Sequence, residues 1–511
     1  MAFSLAASLS RQSKFALSRH SSRILPMTTI LQPPPRCFSS TVVSPSTEND
    51  DNNNNNFDNF YDVTIVGGGV VGSSLAHLIN RRMPSLKVAV LESRECAPSQ
   101  PSIDRVPHPR SYALSPASLQ VLGDSVVSRL PLGHYDSMQV WQAKSPSVLT
   151  FTARDLDADP SKATYLGACC EDQPIVATLW EELMKSPSTE RITNARLKSL
   201  QTGHPSALAM AELEDGTEIQ TPVMIGADGG NSWVRKSSGI SKIGGDYEQS
   251  ALTFTVSLRD SMTRRAFQRY LDDGGPMALL PTFSSNHAVV VWSAIPEVLA
   301  RWKDAPEEDF VAYLNECLQE GPQRVPSLLE GTVGNSSGSG ILTNLVYGTE
   351  RVLDTLHYGL AMASQHPDPT FQVPPRIEGV VSPKFTFPLS CYQSTSYTKG
   401  RVALVGDAAH TVHPMAGQGL NLGLGDVATL VSCLEKAHRA GMDLSSFLHE
   451  YDSNRHRSVS ISLGGIHTLQ RMFRAQNVPV QHIKTFGMNM IQNVGPLRRQ
   501  LAVAAAHGIA L

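Results

Sequence analysis

Apolar residues along this chain fall into runs of two kinds. Short β-branched runs that stop at a glycine or an acid recur at Tyr61–Val66, Lys87–Leu91, Thr221–Ile225 and Arg401–Val405. Runs without polar alternation suit strands covered on both faces, as in a parallel sheet. Between the first two, Ser73 to Met83 carries Leu75, Leu78 and Ile79 at helical spacing, so the segment reads strand, helix, strand. The middle of the chain differs: Thr253–Leu258, Met277–Leu280 and His287–Ser293 alternate or run with β-formers and predict a mostly antiparallel sheet inserted between the other segments. Beyond Leu444 the spacing of Phe447, Tyr451, Ile466, Leu469, Met472 and Phe473 turns helical.

The turns between these elements carry the chemistry. Gly67-Gly68-Gly69-Val70-Val71-Gly72 follows the first strand directly and opens the first helix, and Glu92 ends the second strand. In this G-x-G-x-x-G setting Gly67 serves the tight turn, Gly69 lets backbone approach a pyrophosphate, and Gly72 lets helix and strand pack closely. Glu92 can accept from a ribose hydroxyl. The segment is thus a Rossmann-like dinucleotide unit. A second glycine-rich stretch, Gly331 to Gly340, lacks the spacing, so only one such unit is expected. Asp228 in Gly226-Ala227-Asp228-Gly229-Gly230 and Asp407 in Gly406-Asp407-Ala408-Ala409-His410 each end a strand, where ligands of open α/β sheets collect. Pro414-Met415-Ala416-Gly417-Gln418-Gly419-Leu420-Asn421 then opens a helix, whose unpaired N–H groups suit an anionic partner.

Taken together, GGGVVG, GADGGNSWVR and GDAAHTVHPMAGQGLNLGLGD resemble the FAD-dependent aromatic hydroxylases, and HPMAGQGLNLGLGD is similar to their ubiquinone-biosynthesis branch. The resemblance runs from about Tyr61 to the C-terminus. It implies an FAD-binding Rossmann-like domain, an inserted mostly antiparallel substrate sheet and a C-terminal helical segment. The expected division is a leader and linker over 1–56, an FAD domain over 57–130, 174–245 and 384–440, a sheet domain over 131–173 and 246–383 with an insertion near 331–375, and helices over 441–511. By the same resemblance Gly67, Gly69, Gly72 and Glu92 hold the ADP half of FAD, Arg110 lies near the phosphate-ribityl region, Asp228 lies between the pyrophosphate and the path of the reductant, and Asp407 binds ribityl hydroxyls. Gly417, Gln418, Gly419 and Asn421 lie against the pyrimidine edge of the flavin ring, whose reduced form is anionic there.

The implied reaction is hydroxylation of a polyprenylated benzoate or phenol with O2, by way of a flavin C4a-hydroperoxide, at ring C5 in the ubiquinone branch. The resemblance also implies electrons from a ferredoxin and its reductase, membership of a ubiquinone-biosynthesis protein complex, and a peripheral contact with the matrix side of the mitochondrial inner membrane. The competing reading is a non-enzymatic isoprenoid-binding module of related fold, against which the full GDAAH…GQGLN segment argues.

Composition changes this picture little. Lys+Arg 43 against Asp+Glu 46 gives a net charge of −3 with no basic stripe, so no nucleic-acid footprint is expected. The seven cysteines match neither a disulfide framework nor zinc spacing, and His410 and His413 lack further ligands nearby, so no metal is expected. Residues 1–47 contain Arg11, Lys14, Arg19, Arg23 and Arg36, many serines and no acid, the chemistry of a mitochondrial or, alternatively, chloroplast transit peptide. The polar run from Glu48 to Asn56 reads as a linker. No apolar stretch is long enough to span a membrane. The tail from Ile483, with Phe486, Met488, Met490, Ile491 and Leu497 beside Arg498 and Arg499, suits either an interfacial helix or one packed on the protein's own core.

Overall fold

The computed structural model describes residues 59–94, 99–156, 164–203, 207–272, 275–325, 371–414, 417–475 and 477–507. The expected leader and linker, and nearly all of the expected insertion near 331–375, lie outside the described residues.

One six-stranded sheet runs in the order Thr398–Lys399, Val402–Leu404, Val223–Gly226, Val63–Val66, Val88–Leu91, Thr189–Ile192. Every pairing is parallel except the first, a hairpin. Val63 to Val66 is buried throughout because both of its faces are covered, which is why its sequence shows no polar alternation. The helix Val70–Arg82 and the long helix Gly419–Arg439 pack on each other, and Leu75, Ile79, Val427, Leu430 and Val431 join the sheet in one core. The first strand lies between a strand from the next segment and one that arrives much later in the chain. The glycine turns of residues 67, 227–229 and 405–406 therefore leave the sheet side by side at the carboxyl ends of neighbouring strands.

The second large sheet has nine strands, eight of them ordered His410–Thr411, Phe385–Ser394, Lys242–Leu258, His287–Ala294, Pro276–Pro281, Arg265–Tyr270, Ser137–Gln142, Val148–Thr152, with Ile377–Val380 also on the long strand Lys242–Leu258. It is antiparallel except where Arg265–Tyr270 meets Ser137–Gln142. Trp141, Phe254, Phe267, Met277 and Trp292 fill its core beneath the helices Pro296–Lys303 and Glu307–Gln319. Two three-stranded sheets complete the described β-structure.

Three helices follow the core: Leu448–Arg474, Val478–Asn493 and Gly495–His507. The first two pack on the nine-stranded sheet, and the last packs on the turn Ala153–Asp155 that follows it and on the helix Pro116–Leu122. Phe473 stacks on Tyr270 with centroids 3.8 Å apart and planes 9° apart, and Met488 and Ile491 join Val140 and Leu149. Much of this contact is polar. Thr485 Oγ1 lies 2.9 Å from Ser145 Oγ, and Thr150 N–H donates to Gln492 Oε1 at 2.8 Å. Arg498 Nε donates to Asp155 at 3.0 Å. Arg498 is 8% exposed, so of the two arginines that the interfacial reading would set beside lipid only Arg499 faces solvent. The tail is core structure because its polar side chains, not only its apolar ones, have partners on the sheet and on the turns that border it. No helix among the described residues is long and apolar enough to cross a membrane.

Candidate flavin site

The three glycines of the first motif answer to different physical demands. Gly67 has φ +109°, and a Cβ there would lie 2.4 Å from Ala227 O. A Cβ on Gly72 would lie 1.9 Å from Gly67 O. Both glycines are therefore required by the protein's own packing. Gly69 is not: it has φ −73° and ψ −171°, open to any residue, and a Cβ on it would meet nothing within 4 Å. A glycine with neither strain nor a protein neighbour to explain it fits a backbone that a ligand must approach. The helix it begins has no side-chain cap and no acid in its first turn, leaving its N–H groups and partial positive charge available.

Glu92 is buried at the end of the second strand. Its Oε2 accepts from Gly68 N–H at 2.9 Å and from the Arg94 guanidinium at 3.1 Å, and its Oε1 accepts from Arg94 N–H at 3.0 Å. Burial raises its carboxyl, but the hydrogen bonds of Arg94 and Gly68 more than offset this and hold it below the usual carboxylate range. Glu92 is thus an ionised acceptor joined to the first glycine turn. Trp180, which carried no sequence motif, donates Nε1–H to Gly68 O at 2.8 Å from the helix Asp172–Met184.

The second motif abuts the first. Ala227 N–H donates to Val66 O at 2.8 Å, and the Cβ position of Gly67 is 3.1 Å from Asp228 Cα. Asp228 Oδ2 accepts from the N–H groups of Trp233 and Val234 at 2.7 and 3.0 Å, capping the helix Trp233–Ser237. Its Oδ1 is buried and has no hydrogen-bond partner among the described residues. An orphaned buried acceptor costs free energy unless something supplies a donor. Arg235, quoted in the motif without a role, donates to Ala408 O at 2.9 Å and Gly230 O at 3.1 Å, so it joins the second motif to the third.

In the third motif Gly406 has φ +60°. The Asp407 side chain opens into the cleft beside Arg235, Lys242, Tyr392 and Thr411. The surrounding protein nonetheless withdraws it from bulk water, and this raises its carboxyl against the opposing pull of His410 and Arg110. Arg110 is close enough to act on Asp407, forms a loose ion pair with Asp172 at 3.6 Å, and keeps its side chain 68% exposed. Its loop is tied to the large sheet, since Thr253 and Thr255 donate to Pro109 O and Pro107 O at 3.1 and 2.7 Å.

Met415 and Ala416 lie outside the described residues. Gly417, at φ +60°, precedes Gln418, which caps Gly419–Arg439 through its backbone position alone. Asn421 is occupied within the protein. Its Oδ1 accepts from Ser115 N–H at 3.0 Å and Ser118 Oγ–H at 2.6 Å, and its Nδ2 donates to Ala113 O and Gly417 O, both at 2.9 Å. Asn421 therefore acts on the site by clamping the helix start to the strand that follows Arg110. Gln418 Nε2 donates to Ala505 O at 3.1 Å, which brings the last helix to this end of the site.

The two histidines face different partners. His410 Nε2 is 2.7 Å from Asp426 Oδ2, whereas His413 sits edge-on to Tyr247 at 5.0 Å. Among the described residues no group of three or more His, Cys, Asp or Glu is placed to hold a metal ion.

A parallel sheet with three glycine turns meeting at the carboxyl ends of adjacent strands, two helices starting there without side-chain caps, and an antiparallel sheet fixed to the Arg110 loop define a flavin-binding scaffold of the monooxygenase type. The FAD binding domain family model matches residues 60–328 and 369–461. Ubiquinone biosynthesis monooxygenase COQ6 of Xenopus tropicalis is 30% identical over 467 residues, covering 87% of this chain and 93% of the relative. The human protein of the same name is 29% identical over 468 residues, covering 88% and 93%. The chain belongs to the FAD-binding-domain family of FAD-dependent aromatic hydroxylases, in its ubiquinone-biosynthesis branch. Solved structures of similar fold include p-nitrophenol 4-monooxygenase PnpA from Pseudomonas putida DLL-E4, with TM-score 0.61 and 17% identity over 88% of this chain and 99% of that one. PqsL, a probable FAD-dependent monooxygenase from Pseudomonas aeruginosa, has TM-score 0.59 and 19% identity over 84% of this chain and 100% of that one.

Proposed function

We propose that this protein hydroxylates the aromatic ring of a polyprenylated benzoate or phenol in ubiquinone biosynthesis, in the mitochondrion, with FAD held by Gly67, Gly69, Gly72, Glu92, Arg110, Asp228, Asp407 and the 417–421 segment. The observation that carries this reading is the meeting of three separate motifs at one sheet edge in a chain that aligns over most of its length with ubiquinone biosynthesis monooxygenases. FAD, when bound, supplies the reductive activation of O2 and delivers one oxygen atom to the ring.

The chain's own residues bind and orient. The backbone of Gly67 to Gly69 and the start of Val70–Arg82 receive the pyrophosphate, and Glu92, held ionised, accepts from a ribose hydroxyl. Asp407 accepts from ribityl hydroxyls, and the unfilled Asp228 Oδ1 accepts from the cofactor or from water bound to it. The start of Gly419–Arg439 stabilises negative charge on the ring's pyrimidine edge. The large sheet, joined to the Arg110 loop through Thr253 and Thr255, excludes water from the reacting ring. Electrons come from a ferredoxin and its reductase, and the enzyme works in a biosynthetic complex at the matrix face of the inner membrane without a span of its own.

The test uses the purified full chain, which is expected to be yellow. Under anaerobic conditions its absorbance should bleach with ferredoxin and ferredoxin reductase and not with NADPH alone. With 18O2 and a prenylated 4-hydroxybenzoate, one labelled oxygen should enter the ring. A colourless protein that binds the prenylated compound unchanged would support the isoprenoid-binding alternative.

A further inference from the structure

We infer that Asp426, with His410 and Arg455, is a positioning device for the Gly406–Asp407 turn and so governs flavin retention without touching the flavin. The inference rests on the reading of Asp407 as a ribityl ligand.

Asp426 is 0% exposed, so it has no surface to offer a ligand. It lies one helical turn beyond Gly423 in Gly419–Arg439, and Gly423 brings that helix against the turn. A Cβ on Gly423 would lie 3.2 Å from Gly406 Cα and 3.0 Å from Val71 Cγ2. The Asp426 carboxylate divides its acceptor sites between the turn and a distant helix. Oδ2 accepts from Gly406 N–H at 2.9 Å and from His410 Nε2 at 2.7 Å. Oδ1 accepts from Arg455 Nε at 2.7 Å.

Arg455 is 5% exposed on Leu448–Arg474, and its Nη2 donates to Leu422 O at 3.0 Å. Gly425 leaves the space for it, since a Cβ there would lie 3.1 Å from Arg455 Nη2. Burial raises the Asp426 carboxyl, but His410 and Arg455 outweigh burial and keep it below the usual range. The ionised carboxylate can only accept, so His410 Nε2 carries the proton.

The arrangement grips both ends of one short turn, the amide of Gly406 and the side chain of His410, and Asp407 stands between them. Gly406 adopts φ +60°, one of many conformations a glycine reaches freely, so its direction has to be fixed by partners. A buried ion pair is a weak source of stability compared with apolar packing. Its specific product here is a fixed direction for the Asp407 carboxylate, on which hydrogen bonding to ribityl hydroxyls depends.

The experiment is a double-mutant cycle on the FAD dissociation constant of the purified full chain, with Asp407→Ala, Asp426→Asn and the double variant. The urea midpoint of the flavin-stripped chain is measured alongside. Each single variant should weaken FAD binding about tenfold, and the double should add less than about threefold to Asp407→Ala, because Asp426 acts through Asp407. Asp452→Asn is the control: Asp452 lies on the same helix as Arg455 but accepts from Tyr397 N–H and Ser396 Oγ–H, both at 2.8 Å, and not from the amide of Gly406 or the ring of His410. It should lower the urea midpoint comparably yet leave FAD affinity within about twofold.

FAD affinity unchanged in Asp426→Asn overturns the inference, as does a fully additive double variant when Asp407→Ala itself weakens binding. If Asp407→Ala binds FAD normally while Asp426→Asn does not, the ribityl reading fails and the positioning of the turn's backbone stands. Should Asp426→Asn not accumulate, Arg455→Lys keeps the charge and loses the guanidinium geometry. It should weaken FAD binding severalfold, and unchanged binding there overturns the inference equally.

Discussion

The two halves of this molecule specify their structures by different means. On the flavin side the decisive positions are backbone: a Cβ on Gly67 or Gly72 would come within 2.4 or 1.9 Å of a backbone oxygen, so no side chain fits at either. On the sheet-and-tail side the decisive positions are side chains that pair across long sequence separations, such as Thr485 with Ser145, Gln492 with Thr150, and Arg498 with Asp155. A backbone constraint leaves a residue type at a fixed spacing, which can be read from one sequence. A polar pair between residues more than three hundred positions apart leaves no local trace.

The sharpest way to break this comparison lies inside the first motif. Gly72→Val should abolish folding, because the new Cβ would overlap Gly67 O and both partners are backbone. Gly69→Val should fold, because nothing in the protein opposes it, yet yield colourless protein, because its side chain would occupy the space left for the pyrophosphate. Solubility, circular dichroism and flavin absorbance separate the two. A yellow Gly69→Val would remove Gly69 from the site.

The next largest effect tests the other half. Arg498→Met removes one member of a buried ion pair and leaves Asp155 without its cation, a loss of roughly 3 to 5 kcal/mol. Urea unfolding should register it. Truncation before Val478 should be worse, exposing Phe473 and Tyr270 and unpairing Ser145, Thr150 and Asp155, so the shortened chain should aggregate. A truncated chain that stays monomeric, holds FAD and no longer binds cardiolipin vesicles would instead return the tail to the membrane surface.

The same contrast decides what could be read beforehand. The parallel strands, the order strand, helix, strand, the inserted antiparallel sheet and the C-terminal helices were legible because burial on two faces, on one face and along a helical stripe leave different periodicities. The sequence motif at Gly417 to Asn421 pointed to the right helix start but not to what Asn421 does, since its four hydrogen bonds reach Ala113, Ser115, Ser118 and Gly417. Trp180 was invisible: an indole spaced within an amphipathic helix reads as core, and only the fold turns its N–H to Gly68 O. Arg455 was hidden likewise, and Asp426, although it closes the third motif, gave no sign of its partners, because the common face of both helices with the Gly406 turn is set by tertiary packing. The tail's polar partners explain why periodicity left two readings of that helix open: Gln481, Lys484, Thr485, Asn489 and Gln492 are buried while Ile483 is 63% exposed.

A smaller effect belongs to the side chains proposed to bind the flavin as opposed to the backbone. Asp407→Ala should leave the fold intact and weaken FAD binding by roughly 1 to 3 kcal/mol, the value of a few hydrogen bonds accepted from the cofactor's hydroxyls. Fluorescence of released flavin measures it. An affinity loss as complete as that of Gly69→Val would mean that the side chain, and not the glycine backbone, dominates retention.

The smallest expected effect is a pH slope where the two halves meet. His413 follows the third motif and packs edge-on against Tyr247 of the long strand Lys242–Leu258, so it joins the flavin side to the large sheet. Burial lowers its pKa from 6.5 to about 4. Between those two values the unfolded chain binds a proton that the folded chain refuses. Stability therefore falls as pH drops below about 6.5, and the loss is complete once pH passes below about 4. One proton limits the slope to about 1.4 kcal/mol per pH unit. Replacing His413 by Gln removes the titrating group while keeping polar capacity, so the difference in urea midpoint between wild type and His413→Gln should be constant above pH 7 and shift in favour of the variant towards pH 4.5. Parallel curves over that range would show that His413 takes up its proton equally well in the folded chain, and that the junction between the halves is wetter than its burial implies.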